Sequence, residues 1–372
     1  MAPLIAQCVA GAMKKMCPRF ARRIACVGAL LALAGWGAGC LAQTLLAQSA
    51  PALLGTTVPG ASRQAWAAAA ALSRGITLAT ALEPAAEFSK PTFNVQTIAN
   101  AGFRSVRLAV PSASLRSAGT AVAEQELRLQ RLDHLIDVLL ARGLSVVLAI
   151  RDEPGSAAYP TQARSQAAIE ARHRELVQIW QPLARRYSKH SHRLLFEIAF
   201  DPGTSSAAKN QRVPFLLKAI RQSDPTRVVV LGWGEAIGVP DMRLPEDRHL
   251  IVGIAHAEPF RFIRQGVPGL PGADQWRGST CCSPQEMQLM ALPLDIVKAW
   301  SAEHRYPVWV HEFMSYKEIP ADLRARHARL VRQAAEDRGF SWTYGDFDRD
   351  FGIYDPISQA WQAPVLRALL GR

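Results

Sequence analysis

Outside its first forty residues the sequence has almost no cysteine. Of six cysteines, Cys8, Cys17, Cys26 and Cys40 lie near the N-terminus, and only the adjacent pair Cys281 and Cys282 remains. A disulfide framework is therefore excluded. A bond between neighbouring cysteines is sterically awkward, and the dipeptide lacks the spacing of a zinc site, so both are read as loop cysteines of no special role. No glycine-rich phosphate turn follows an early strand, which argues against a doubly wound nucleotide-binding sheet. No Gly-x-Ser-x-Gly elbow is present either. His190 and His192 fall between a helix and a strand, while His304 and His311 belong to separate elements, so no metal centre is expected.

Basic residues outnumber acidic ones, 43 to 31, for a formal charge of +12. Lys14, Lys15, Arg19, Arg22 and Arg23 precede the apolar run "IACVGALLALAGWGAGCLA". This pattern is a bacterial-style export signal within residues 1–42, with cleavage after Ala42 or Ala50. The run is short and rich in glycine for a retained span, so removal is expected, with no membrane span in the mature chain. A variant reading is a lipoprotein box, "GWGAGC", ending at Cys40, although Gly37 stands where a branched apolar residue is usual. The exported part, periplasmic or extracellular, keeps +7 of the charge. Its arginines are scattered along helix faces such as "ADLRARHARLVRQAAEDR" and do not cluster with aromatics, so nucleic acid is not an expected partner.

From about Arg74 short β-rich runs alternate with helical patterns. The strands are "GITLAT", "SVRLAV", "LSVVLAI", "LLFEIAF", "RVVVLGW", "LIVGIAH", "PVWVHEF" and "SWTYGDF". Amphipathic stretches such as "EQELRLQRLDHLIDVLLARG" lie between them, and a last helix follows at "APVLRALLG". Eight strands with crossovers predict an α/β fold, a single (β/α)₈ TIM barrel over 71–372. Residues 43–70 are read as a linker or a short helix capping the barrel bottom. The longest connection, Phe260 to Gln288, crosses the mouth as a candidate substrate loop.

In such a barrel the chemistry sits at the C-terminal strand ends. These ends carry Arg107, Arg151, Asp152, Asp201, Trp233, His256, Glu258, Glu312 and Asp346. Asp201 and Glu312, closing the fourth and seventh strands, form the two-carboxylate constellation of a glycosidase, one carboxyl donating a proton and the other attacking or activating water. Each residue also has a plainer reading. Glu312 and Arg107 can form a structural ion pair, Asp201 can serve only to start a helix, and Trp233 and His256 can be packing residues.

The ordered segments "RGITLATALE", "IANAGFRSVRLAV", "RRYSKHSHRLLFEI", "IRQSDPTRVVVLG", "EPFRFIRQG", "VWVHEF" and "RGFSWTYGDFDRDFGIYDPISQAW" resemble the cellulase-like glycoside hydrolases of family 5, from about Arg74 to the C-terminus. The resemblance implies retaining hydrolysis of β-linked glucans or mannans without a cofactor. It makes Glu312 the nucleophile and Arg107 its support. It also exposes departures. The family's Asn-Glu-Pro becomes Phe200-Asp201-Pro202, its His-His pair becomes Arg151-Asp152, and Ala255 and Ala257 replace a histidine and a tyrosine. Gly345 replaces the tryptophan that stacks on the sugar. Asp201 draws its carboxyl back by about 1.5 Å relative to glutamate.

Two functions follow as expectations. One is a secreted hydrolase using Glu312 and Asp201, with Arg107, Arg151, Asp152, Trp233, His256 and Asp346 around the β-linked poly- or oligosaccharide. The other is a catalytically impaired relative that binds a polysaccharide or an envelope or secretion partner. A salt bridge between Arg151 and Glu312 would favour the second.

Overall fold

The structure, a computed structural model, describes residues 60–79, 91–115, 121–151, 165–199 and 204–371. The expected export signal, the lipoprotein box, and the positions Asp152, Phe200 and Asp201 lie outside the described residues.

Helix α1, Arg63–Ala71, comes first and is capped by Ser62, whose hydroxyl accepts from the Ala65 amide. Strands and helices then alternate: β1 Gly75–Ala79, α2 Pro91–Ala101, β2 Ser105–Pro111, α3 Val122–Ala141, β3 Ser145–Arg151, α4 Gln166–Tyr187, β4 Leu194–Ile198, α5 Ser206–Arg221 and β5 Val229–Glu235. After these come β6 Leu250–His256, α6 Phe260–Arg264, α7 Pro284–His304, β7 Val308–Phe313, α8 Ala321–Glu336, β8 Ser341–Tyr344 and a small β9–β10 ribbon, Tyr354–Asp355 and Ala360–Trp361. Helix α9, Ala363–Leu370, follows the ribbon. Strands β1 to β8 pair in sequence order and in parallel to close a barrel. The architecture is a (β/α)₈ barrel.

The strand alternation sorts side chains into two cores. Val106, Leu108 and Val110 of β2, with Val229 and Leu231 of β5, pack outward against the helices. Val147, Leu195, Val230, Ile251 and Trp309 point inward and meet Ala65, Ala69 and Leu72 from α1 and its end, so this helix packs against the inward-facing layer. At the seam, β1 meets β8 through Gly75↔Thr343 and Ile76↔Tyr344. A Cβ at Gly75 would lie 2.2 Å from Thr343 Oγ1 and 2.7 Å from Ser105 Oγ, so only glycine fits there.

Two readings of the sequence are corrected. Strand β8 ends at Tyr344 instead of reaching Phe347, because Asp346 takes a left-handed φ of 51° that an extended strand cannot hold. Cys281 and Cys282 are joined in a disulfide across a cis peptide and are buried just before the Ser283 capping box that opens α7. Among the described residues no helix is long and apolar enough to cross a membrane, and no group of His, Cys, Asp and Glu is arranged to hold a metal ion.

Candidate active site

Above the apolar inner layer the inward positions turn polar. Arg107 on β2 and Glu197 on β4 share the inward parity of their strands, and both are fully enclosed. Arg107 donates from Nε to Glu197 Oε2 at 2.6 Å and from Nη2 to Oε1 at 2.8 Å, a bidentate pair. Its remaining nitrogen, Nη1, donates to Glu312 Oε2 at 2.9 Å. One guanidinium thus grips two carboxylates with fixed geometry. Removing Arg107 would leave the fully buried Glu197 without its cation, typically about 3–5 kcal/mol.

Strand β7 supplies two adjacent inward residues, which regular alternation forbids. Its register slips against β6 between Val310 and Glu312, and against β8 between Val310 and Phe313. Val310 and Phe313 both belong to the outer core, so the bulge turns His311 and Glu312 together into the barrel. His311 Nδ1 lies 2.8 Å from Glu197 Oε1, and its ring is fully buried.

Arg151, ending β3, reaches the same carboxylate from the side of the mouth. Its Nη1 is 3.7 Å from Glu312 Oε2, and its side chain is 28% exposed. Burial alone would raise the Glu312 pKa, but Arg151, Arg107 and His311 outweigh burial and the opposing Glu197, so the carboxyl is held below its ordinary range. Glu197 is depressed in the same way: Arg107 and His311 overcome its burial. Burial lowers the His311 pKa, so the ring is neutral and donates its Nδ1 proton to Glu197. Asp346 behaves oppositely. Loss of hydration, aided by Glu312 and opposed by Arg151, pushes its carboxyl up to about 6.

The structure therefore brings Arg107, Arg151, Glu312 and Asp346 into one electrostatic cluster. Trp233 and His256 are placed elsewhere. Trp233 falls at a register slip of β5 between Gly232 and Gly234, packs in the outer core, and its indole donates to the Gly238 carbonyl at 2.7 Å. His256 shares the parity of Leu250, Val252 and Ile254, and its Nε2 lies 2.9 Å from the Met290 carbonyl of α7. Glu258, next to a cis proline, is raised by burial and caps the Phe260 amide.

At Gly345 an added Cβ would meet Met314 Sδ at 2.8 Å and Met314 Cβ at 3.2 Å. The methionine after β7 occupies the space toward which a larger side chain at 345 would project.

Sequence reasoning did not single out Glu197 or His311. A signal for Glu197 was present: a lone acid at an inward position of "LLFEIAF" requires a buried cationic partner. His311 depends on the bulge, which no residue pattern in "VWVHEF" announces.

Residues 89–348 match the family described as Cellulase (glycosyl hydrolase family 5). Among curated proteins, the chain is 28% identical over 205 residues to Endoglucanase H of Acetivibrio thermocellus, a stretch covering 51% of this chain and 21% of that protein. It is 25% identical over 190 residues to Endoglucanase C of the same organism, covering 48% and 55%. The chain thus spans about a fifth and about half of these relatives' lengths. Among solved structures, an endoglucanase is similar with a TM-score of 0.71 and 27% identity, covering 83% of this chain and all of the other. Thermotoga maritima Cel5A bound to mannotriose gives 0.71 and 25%, covering 82% and 99%. A cellulose synthase subunit Z from Clostridioides difficile gives 0.69 and 26%, covering 80% and 99%. The family match takes in the strands that carry Arg107, Arg151, Glu197 and Glu312, and on it the chain belongs to glycosyl hydrolase family 5, the cellulase family.

Proposed function

We infer that this protein hydrolyses O-glycosidic bonds of a β-linked polysaccharide by a retaining mechanism. The observation that carries the reading is Glu312, an ionised carboxylate turned into the barrel by the β7 bulge and held on one oxygen by Arg107. Arg107 engages Oε2, so Oε1 is the oxygen assigned to attack the anomeric carbon. As that bond forms, the leaving-group oxygen takes a proton from the acid assigned to Asp201, and water then cleaves the glycosyl ester with the same residue acting as base. Arg107, Arg151, Asp152 and Asp346 are assigned to the surroundings of the sugar. Relatives described as endoglucanases, and a structural neighbour solved with mannotriose, support β-glucan or mannan as the substrate class. The basic and apolar leader supports export to the periplasm or beyond.

A second reading has its own observation. Arg151 approaches the nucleophile's oxygen at 3.7 Å, so Glu312 is flanked by two cations, an arrangement suited to a silent cleft that binds glycan or a partner of an envelope or secretion assembly. The likeness to a cellulose synthase subunit is consistent with that setting.

The test is reducing-sugar release by the mature protein on β-glucans, mannans and xylans, run beside Glu312→Gln. Release that is lost in the variant establishes the hydrolase, and the initial anomer of the product reports retention. Binding to a glycan without release establishes the second reading.

A further inference from the structure

Among the described residues, Glu197 and His311 are polar groups at the floor of the cleft that neither assigned step uses. His311 lies below Glu312, fully buried, and room for it has been cleared from the neighbouring strand. At Gly253 on β6 an added Cβ would come 3.3 Å from His311 Nδ1, 3.4 Å from its Cγ and 2.9 Å from Val230 Cγ1. The glycine is not required by a left-handed backbone, since its φ is not among the positive ones. It is required by Val230 first, and the imidazole adds a second close approach.

That ring is fully buried. It acts on Glu197 Oε1, the oxygen that also accepts from Arg107 Nη2. Four buried groups therefore form a line: His311, Glu197, Arg107, Glu312. The middle carboxylate is fixed from both sides, and its position sets where the guanidinium can reach.

We propose that His311 is a positioning residue for the hydrolysis inferred above, setting the place and ionisation of the nucleophile Glu312 through Glu197 and Arg107. Without the Nδ1 donor, Glu197 keeps among the described residues only its bidentate pair with Arg107, and that pair can tilt as a unit and carry the guanidinium with it. A shift of about 1 Å at a reacting group can cost about a hundredfold in rate. Among the described residues, the charged and titratable groups facing Glu312 are Arg107 from β2, Arg151 from β3, Glu197 from β4, His311 from its own strand and Asp346 beyond β8. Loss of the imidazole's Nδ1 hydrogen bond leaves more of the Glu197 charge acting on Arg107 and Glu312, which raises the pH at which Glu312 ionises.

The experiment compares His311→Leu, which keeps bulk but removes the donor, with His311→Asn, whose amide nitrogen can stand where Nδ1 stood. Full-length mature protein labelled with ¹³C at glutamate carboxyls is titrated by NMR, with Glu312→Gln used to assign the signal. The expected result is an upward shift of the Glu312 midpoint in His311→Leu and a return toward wild type in His311→Asn. On any glycan the wild type cleaves, His311→Leu lowers kcat by about tenfold to a hundredfold, with KM little changed and the acid limb moved to higher pH. Thermal unfolding confirms that each variant folds, and Gly253→Ala, which crowds the ring, serves as a second perturbation if the leucine variant does not. An unmoved Glu312 midpoint in the folded variants, or an asparagine variant as impaired as the leucine one, overturns the proposal. Because the titration needs no turnover, a wild type that cleaves nothing counts against the hydrolase reading alone.

Discussion

Arg151 Nη1 stands 3.7 Å from Glu312 Oε2, linking the end of the third strand to the seventh across the mouth of the barrel. The contact joins a partly exposed cation to a nearly enclosed carboxylate, so its strength depends on what else occupies the cleft. A sugar entering there displaces water from both groups and strengthens their interaction.

Arg151→Gln removes one of the two cations that hold Glu312 ionised. The acid limb of kcat/KM is expected to move to higher pH, read from rates between about pH 3 and 8. A limb that stays in place would take Arg151 out of the electrostatics of Glu312.

Glu312→Gln is isosteric and still accepts from Arg107, so the fold is expected to survive while glycan cleavage falls by about a thousandfold or more. Reducing-sugar assays with circular dichroism check both halves. Cleavage at the wild-type rate would remove Glu312 from the mechanism.

Asp346 gives a stability prediction with a definite sign. Its folded carboxyl sits near 6, against about 3.9 for an unfolded aspartate, so between these values the folded chain holds the proton that the unfolded chain has lost. The favourable term is complete below the unfolded value and is lost as pH rises through about 6, which makes the ionised residue a cost at neutral pH. Asparagine stays neutral and tolerates the left-handed φ. Asp346→Asn is expected to stabilise the protein by at most about 3 kcal/mol at pH 7.5 and to change little at pH 4, as measured by urea unfolding. Equal effects at the two values would contradict the raised carboxyl.

Gly345→Ala places a methyl against Met314. Overpacking of this kind typically costs about 1–3 kcal/mol. In a Met314→Ala background the cost should shrink, because the blocking sulfur is gone. A double-mutant cycle of melting temperatures measures the coupling, and independent effects would mean that Met314 does not fill this space.

The barrel was legible in the sequence because each of its strands is a short apolar run bounded by helical periodicity, from "GITLA" to "SWTY". Glu312 and Arg107 were legible as polar ends and interruptions of such runs. Trp233 and His256 were drawn into the expected site by position alone, although the parity of Leu250 and Val252 already turned His256 toward the helices. What could not be read was the β7 bulge. A slip of one residue leaves composition and spacing unchanged, yet it decides that His311 and Glu312 face the same way.

The glycine seam between β1 and β8 has a consequence for how the chain reaches this structure. Gly75 and Thr343 lie near opposite ends of the described chain, so the closing pair is among its most non-local contacts. Loop entropy for such a contact is lost before any stabilisation is gained, and high contact order slows folding. Until "SWTY" has emerged, β1 and β7 remain open edges able to pair with other chains. A ribosome that delivers the polypeptide N-terminus first therefore releases a sheet that cannot become a barrel until Ser341–Tyr344 arrives.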